Sequence, residues 1–254
     1  MKGGIGIIAR LGSKRLFDKH LQMANDIPIV NYLIERIKYN FREEMNRGEI
    51  EVSLLSGNRT NNEPLGLEFI SLGAETYYGN DSNIPKRILQ SMNHFQWDFI
   101  ICVDGDDIFC SPEAMRNIYH KMISGSQYAQ TLGLPFGMNA MGVRKNYLER
   151  SLINSRNSSL ETGWGWIFDK NDLDVVEFQY DFPDYLRFTL DYENDLLFFK
   201  AVIAQCEKWK TISDDELIKL VIDNKLFIHN KDLMVEYWEN FHREQNLEKG
   251  IHNG

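Results

Sequence analysis

The segment Ala9-Arg10-Leu11-Gly12-Ser13-Lys14-Arg15-Leu16-Phe17-Asp18-Lys19-His20-Leu21 puts four fixed cations, Arg10, Lys14, Arg15 and Lys19, within ten residues. Gly12-Ser13 permits close backbone approach. Backbone N–H groups beside lysine and arginine side chains make a cradle for phosphate oxygens, because every partner donates to negative charge. A solvated basic turn is the plainer account of a charge run. Placement directly after an apolar run favours the phosphate account. The spacing is not that of a Walker loop, and Gly4-Ile5-Gly6 lacks the third glycine of a dinucleotide fingerprint.

Carboxylates form the complementary set. Asp104-Gly105-Asp106-Asp107 puts three of them in four positions. They repel one another unless a cation sits among them. Mg²⁺ takes one or two carboxylates and leaves its other positions to water and phosphate oxygens. A polar Asp-Gly turn is the alternative. A second acidic cluster lies in Arg187-Phe188-Thr189-Leu190-Asp191-Tyr192-Glu193-Asn194-Asp195-Leu196. There Asp191 is predicted to end a strand and cap the next helix. No Ser/His/Asp or Cys/His arrangement stands out, and the six histidines show no H-x₃-H spacing. Cys102, Cys110 and Cys206 have no C-x-x-C spacing, which points to free thiols in a reducing compartment.

These groups need elements to hold them. Gly4–Ala9 is a continuous apolar run, as in a strand buried on both faces. Glu51–Ser56 and Asp98–Val103 read as further strands. Ile29, Val30, Leu33, Ile34 and Ile37 recur at helical spacing, and Pro85–Phe95 and Pro112–Ile123 read as helices, the latter with Ser111 as N-cap. Ser213-Asp214-Asp215-Glu216 is a capping box. From Asn230, Leu233, Val235 and Trp238 keep a loose helical spacing, and the polar end is expected to fray. Strand–helix alternation predicts an α/β domain with a mainly parallel sheet. Right-handed crossovers place the loops after the strands on one edge, where ligands bind. The segments to inspect are therefore Arg10–His20, Ser56–Asn62, Asp104–Cys110 and Asp191–Asp195. Trp164 and Trp166 of Gly163-Trp164-Gly165-Trp166 suit core or dimer contacts better than a ligand shelf.

The chain has 254 residues, 43% of them hydrophobic and 26% charged, so it can bury a core without staples. With 28 basic and 37 acidic residues the net charge is −9, which argues against broad nucleic-acid binding. No apolar run reaches a membrane span. The apolar start breaks at Arg10, too soon for a signal peptide, so a cytoplasmic location is expected. No linker divides the sequence, and residues 1–254 read as one domain.

These segments, in this order, resemble the cytidylyltransferase family of the spore-coat polysaccharide protein SpsF and the CMP-sugar-acid synthetases. The family's A-R-x-G-S-x-R-L-P-x-K-x-L loop is matched by Ala9 to Leu21, its G-D by Gly105-Asp106, and its R-x-T-x-D-x-x-x-D-L by Arg187, Thr189, Asp191, Asp195 and Leu196. Weaker echoes are Gly79 with Arg87, and Pro135 to Asn139. The resemblance spans about residues 4–205. Departures are Phe17-Asp18 for Pro-Gly, Tyr78 where an arginine precedes the glycine, Asp107-Ile108 for Cys-Pro, Met141 for an acidic residue, and Glu161-Thr162 for an E-H pair. The nucleotide half of the pattern holds better than the second-substrate half.

The resemblance implies a three-layer, Rossmann-like nucleotide-diphospho-sugar transferase fold, with residues 127–185 as a small dimerisation excursion and a homodimer as the assembly. It implies transfer of CMP from CTP to a sugar or sugar acid, with loss of pyrophosphate, for surface polysaccharide or glycoconjugate synthesis. In that scheme Ala9, Arg10, Leu11, Gly12 and Ser13 bind the nucleotide. Lys14, Arg15 and Lys19 are catalytic, Asp106 and Asp191 hold Mg²⁺, and Asn139 and Arg187 contact the acceptor. Asp104 and Asp195 are second-tier metal candidates. Two other readings stand beside it: a D-x-D glycosyltransferase using Asp104-Gly105-Asp106, and a catalytically eroded nucleotide-binding protein.

Overall fold

The apolar run after Lys2 forms β1 (Gly3–Ile8), all of it buried. Ile5 and Ile7 enter the hydrophobic core on one face of the sheet, and Ile8 enters a second core on the other. A strand sandwiched in this way has no polar face, which explains the unbroken apolar sequence. The computed structural model describes residues 1–155 and 159–250. The expected fraying of residues 251–254 lies outside them.

After the basic loop come a small hairpin, β2 (Met23–Ala24) and β3 (Ile27–Pro28), then helices α1 (Ile29–Asn40) and α2 (Arg42–Asn46). Two strand–helix units follow: β4 (Ile50–Ser56) with α3 (Arg59–Ser71), and β5 (Glu75–Tyr78) with α4 (Ile84–Phe95). Next are β6 (Phe99–Asp104) and α5 (Pro112–Ser124). The Ser111 hydroxyl accepts from the Ala114 N–H at 2.9 Å, as the cap chemistry predicts. Then come β7 (Tyr128–Leu132), β8 (Met141–Arg144), α6 (Lys145–Asn154), β9 (Leu173–Glu177), α7 (Glu193–Gln205), α8 (Asp214–Asp223) and α9 (Leu233–Gly250). The capping box of Ser213 and Glu216 opens α8 as expected. Among the described residues no helix is long and apolar enough to cross a membrane.

The main sheet runs β5-β4-β1-β6-β8-β7-β9. β8 runs antiparallel to both neighbours, and the other pairs are parallel. Ile8 lies opposite Leu55 and Asp104, so β1, β4 and β6 end together and their following loops share one edge. Side chains of α1, α3, α5, α7 and α8 pack on one face, and those of α4 and α6 on the other. This is the α/β fold with a mainly parallel sheet that strand–helix alternation predicts, in the three layers that the resemblance implies.

Two expectations need correction. Among the described residues of 127–185, β7, β8 and β9 extend the one sheet and Trp164 packs with Tyr128, Tyr147 and Phe168 in its second core, so the segment is not as a whole an excursion from the core. Asp191 neither ends a sheet strand nor caps α7. The segment before it makes an isolated bridge between Phe136 and Arg187, and Tyr192 is the N-cap residue. The Asp195 carboxylate caps the helix, accepting the N–H groups of Asp191 and Tyr192, each at 3.0 Å. That frees the Asp191 side chain for other work.

Candidate active site

Four loops converge at the carboxyl edge of β1 and β6. The Leu190 N–H donates to the Asp106 carbonyl at 2.9 Å, so the segment ending in Asp191 is fastened to the loop after β6. This backbone bond brings together two aspartates 85 residues apart in sequence. Gly105 makes the approach possible. A side chain there would meet the Ala9 Cβ at 2.6 Å and the His20 ring at 3.2 Å.

Lys19 stands at the centre. Its ammonium lies 2.5 Å from Asp106 Oδ2 and 3.0 Å from Asp191 Oδ1. The Lys19 side chain is 10% exposed, that of Asp106 22% and that of Asp191 2%. Burial alone disfavours the Lys19 charge, yet the two carboxylates hold its pKa above the ordinary lysine value. Asp191 also accepts from Arg15 at 2.6 Å, with Arg187 3.6 Å away. Desolvation opposes its ionisation, but Lys19 and Arg15 keep its pKa below the ordinary value. His20, buried behind this pair, is driven down to about 4 by burial and then by the Lys19 charge, so it is neutral at physiological pH.

The other carboxylates of the loop lack such cover. Asp104 is open to solvent on one side, yet desolvation by protein atoms and the Asp106 charge push it up to about 7. Asp107 is held well above the ordinary range by burial, then by Asp106 and Asp104. Among the described residues no three His, Cys, Asp or Glu side chains form a ready metal cluster. The donors that do converge are Asp106 and Asp191, hard oxygen ligands beside uncompensated acidic charge. That donor chemistry fits a divalent cation held jointly with phosphate oxygens.

The basic loop is only partly free. Arg10 is paired with Glu161 at 2.6 Å. The Leu11 N–H is taken by Asn62 Oδ1 at 2.8 Å, while Ser13 Oγ accepts from the Leu16 N–H at 3.4 Å. Gly12 has a φ of +89° and open space beside it, and Ala9 is buried where the loop leaves β1. The Lys14 side chain makes no ion pair among the described residues and stands in solvent. Arg15 turns inward to Asp191 and lies over the Tyr192 ring at 5.5 Å. The loop thus presents an exposed cation, an open backbone turn and a partly exposed cation tied to Asp191 side by side.

Arg187 and Asn139 are placed less directly. Arg187 has no exposed surface. It pairs with Asp195 at 3.0 Å and is covered by the ring of Tyr237 at 5.1 Å. It also stands 3.6 Å from Asp191. Asp195 is spent on its pair with Arg187, on the α7 cap and on the Asn230 amide. Asn139 is half-buried, donating to the Leu134 carbonyl at 3.1 Å and facing Thr131 Oγ1 at 3.3 Å, so it ties the turn between β7 and β8.

Sequence reasoning missed several contributors. Asn62 steadies the basic loop from α3; it closes the Ser56–Asn62 segment singled out after the second strand, but nothing there gave it this role. Glu161 holds Arg10. Tyr237 reaches the acidic corner from α9, where burial and then the charges of Asp191 and Asp106 keep its hydroxyl protonated. An aromatic residue in a loosely patterned C-terminal helix carries no local sign of that placement. Cys102, Cys110 and Cys206 are free and buried, away from any such role.

No family model matches the chain. A relative, uncharacterized protein MJ1063 of Methanocaldococcus jannaschii, is 24% identical over 227 residues, which cover 86% of this chain and 88% of the relative. A cytidylyltransferase structure from Leptospira borgpetersenii superposes with a TM-score of 0.78 at 19% identity, covering 91% of this chain and 98% of that one. CMP:2-keto-3-deoxy-manno-octonic acid synthetase, solved with CTP, gives 0.59 at 15% identity, over 81% of this chain and 99% of the other. A manganese complex of Rv0371c from Mycobacterium tuberculosis gives 0.52 at 12% identity, over 77% and 96%. This chain shares their fold.

Proposed function

We propose that this protein is a CTP-dependent nucleotidyltransferase that moves CMP onto an oxygen of a sugar or sugar acid and releases pyrophosphate. The observation that carries the reading is the convergence of Asp106, Asp191 and Lys19 beside the basic loop after β1. Similarity to a cytidylyltransferase and to a CTP-bound synthetase supports the choice of nucleotide.

The reaction needs positioning and charge neutralisation more than covalent chemistry. The acceptor oxygen forms a bond to the α-phosphorus, the bond from that phosphorus to the bridging oxygen breaks, and pyrophosphate departs with the electron pair. The acceptor proton passes to a carboxylate or to water. Ala9 to Ser13 line the place for the nucleotide, with the open turn at Gly12 letting phosphate oxygens approach the backbone. Lys14, Arg15 and Lys19 offset the charge that gathers on the leaving group. Asp106 and Asp191 are the residues that would hold Mg²⁺, which supplies charge neutralisation on the phosphates. Lys19 holds the two carboxylates together and keeps Asp191 ionised. Asp104, up at about 7, gains its charge near neutrality and adds to the same corner. In this reading the enzyme is a cytoplasmic homodimer serving polysaccharide or glycoconjugate synthesis.

The test is a pyrophosphate-release screen with Mg²⁺ and a panel of sugars and sugar acids, run with each of the four nucleoside triphosphates. Release with CTP, coupled to a CMP-linked product, supports the reading. Equal release from all four, or free nucleoside diphosphate from a nucleotide-sugar instead, overturns it.

A further inference from the structure

Residues 237, 240, 241, 244, 245 and 248 of α9 recur three or four apart and so share one face. That face spans both ends of the basic loop. At one end Tyr237 covers Arg187, and Asn240 Nδ2 donates to the Tyr192 hydroxyl at 2.9 Å, beneath which lies Arg15. Glu244 adds negative charge near Arg15. At the other end Phe241 and Gln245 close over Gly163, where a side chain would meet Gln245 Nε2 at 2.6 Å. Glu248 then accepts the N–H groups of Glu161 at 3.1 Å and of Thr162 at 3.0 Å. Glu161 in turn holds the Arg10 guanidinium at 2.6 Å.

The relay is chemically specific. A guanidinium in a phosphate-binding loop is occupied by a carboxylate, and the backbone bearing that carboxylate is fixed by a second carboxylate from the C-terminal helix. Glu161 and Glu248 repel each other, and burial and then Glu248 oppose the lowering that Arg10 gives Glu161, leaving its pKa above the ordinary value. The Arg10 side chain is 49% exposed and that of Glu161 27%, so their pair is screened and contributes at most about a fivefold factor. A polyphosphate with several charges can displace it.

Resting on the phosphate role of the basic loop, we propose that α9 is an autoinhibitory lid: through Glu248 it holds Glu161 on Arg10, in the place that a nucleotide phosphate oxygen takes when substrate binds. Binding of the polyphosphate frees Arg10 from Glu161, loosens the 161–162 segment from Glu248, and lets α9 lift.

The probe is inorganic tripolyphosphate, which tests the loop without a base, with CTP run in parallel. Calorimetry on the full chain should show E161A, E161Q and E248A binding tripolyphosphate about three- to fivefold tighter than the parent. E161Q keeps the side-chain shape and guards against a folding defect. Hydrogen exchange over residues 237–248 should rise when tripolyphosphate binds the parent, and should already be raised in E248A without ligand. Unchanged or weaker binding by the variants, or exchange that is unmoved or falls, overturns the lid. If tripolyphosphate behaves as expected and CTP fails to bind, the lid stands and the cytidine assignment falls. If neither binds any form, both fall.

Discussion

Replacing Lys19 by methionine keeps the stem and removes one charge from between two carboxylates. Lys19 lies 2.5 Å from Asp106 and 3.0 Å from Asp191, in a corner where Asp191 is 2% exposed. Breaking a buried pair by removing one partner costs about 3–5 kcal/mol, because the surviving charge is left uncompensated. Arg15 stays on Asp191 and Asp106 keeps some solvent, so the expected loss is about 2–3 kcal/mol at about pH 8. The sign of the pH dependence follows from linkage. Without Lys19, the burial that opposes ionisation of Asp191 loses its largest counterweight, and the folded-state pKa of Asp191 rises above its unfolded value. The folded variant then binds more protons than the unfolded chain, so its stability grows as pH falls. In the parent, Asp191 has a depressed pKa, and its contribution is lost as pH falls through that value. The gap between the two proteins should therefore narrow to about 1 kcal/mol near pH 5. Urea unfolding at both pH values measures it. A gap independent of pH, or one under about 0.5 kcal/mol at the higher pH, would refute the coupling of Lys19 to these carboxylates.

Other consequences follow from the same geometry. Asp106→Asn and Asp191→Asn should each lower pyrophosphate release from CTP by at least about 10²-fold, while circular dichroism shows the fold retained; parental turnover in either variant removes that residue from the site. Asn62→Ala leaves the Leu11 N–H without its acceptor and should cost about 1–2 kcal/mol in urea unfolding, with a higher KM for CTP as the loop loosens. Asp104, raised to about 7 when folded, takes up a proton that the unfolded chain lacks, so its contribution to stability fades as pH rises through about 7. Mg²⁺ should accordingly raise Tm more at about pH 8 than at about pH 5, and Asp104→Asn should flatten that difference.

The sequence made some of this architecture legible and hid the rest, for physical reasons. Gly4 to Ala9 could be read as a doubly buried strand, observed as Gly3 to Ile8, because its apolar run is unbroken, and Ser111 and Ser213 announce their helices through local cap chemistry. The basic loop and the Asp104 to Asp107 turn stand out because charge is concentrated where strands end. Periodicity, however, names a face and not its partner. Nothing local shows that β8 inserts antiparallel between β6 and β7, and for that reason residues 127–185 read as an excursion although β7, β8 and β9 within them complete the sheet. Asp191 and Asp195 both fit a helix start, and only the fold shows Asp195 taking the backbone N–H groups and Asp191 the cations. The burial of Arg187 under Tyr237 is equally absent from its sequence surroundings. Asn62, Glu161 and Glu248 act through long-range contacts that no spacing rule records.

The most direct measurement of the central claim is a calorimetric ladder of CMP, CDP and CTP in the presence of Mg²⁺, on the parent and on Arg15→Ala. If the basic turn and the two aspartates grip the phosphate tail, affinity climbs at least about tenfold from CMP to CTP and most of that climb disappears in the variant. Equal affinity for all three nucleotides, or a climb untouched by the loss of Arg15, would contradict the account.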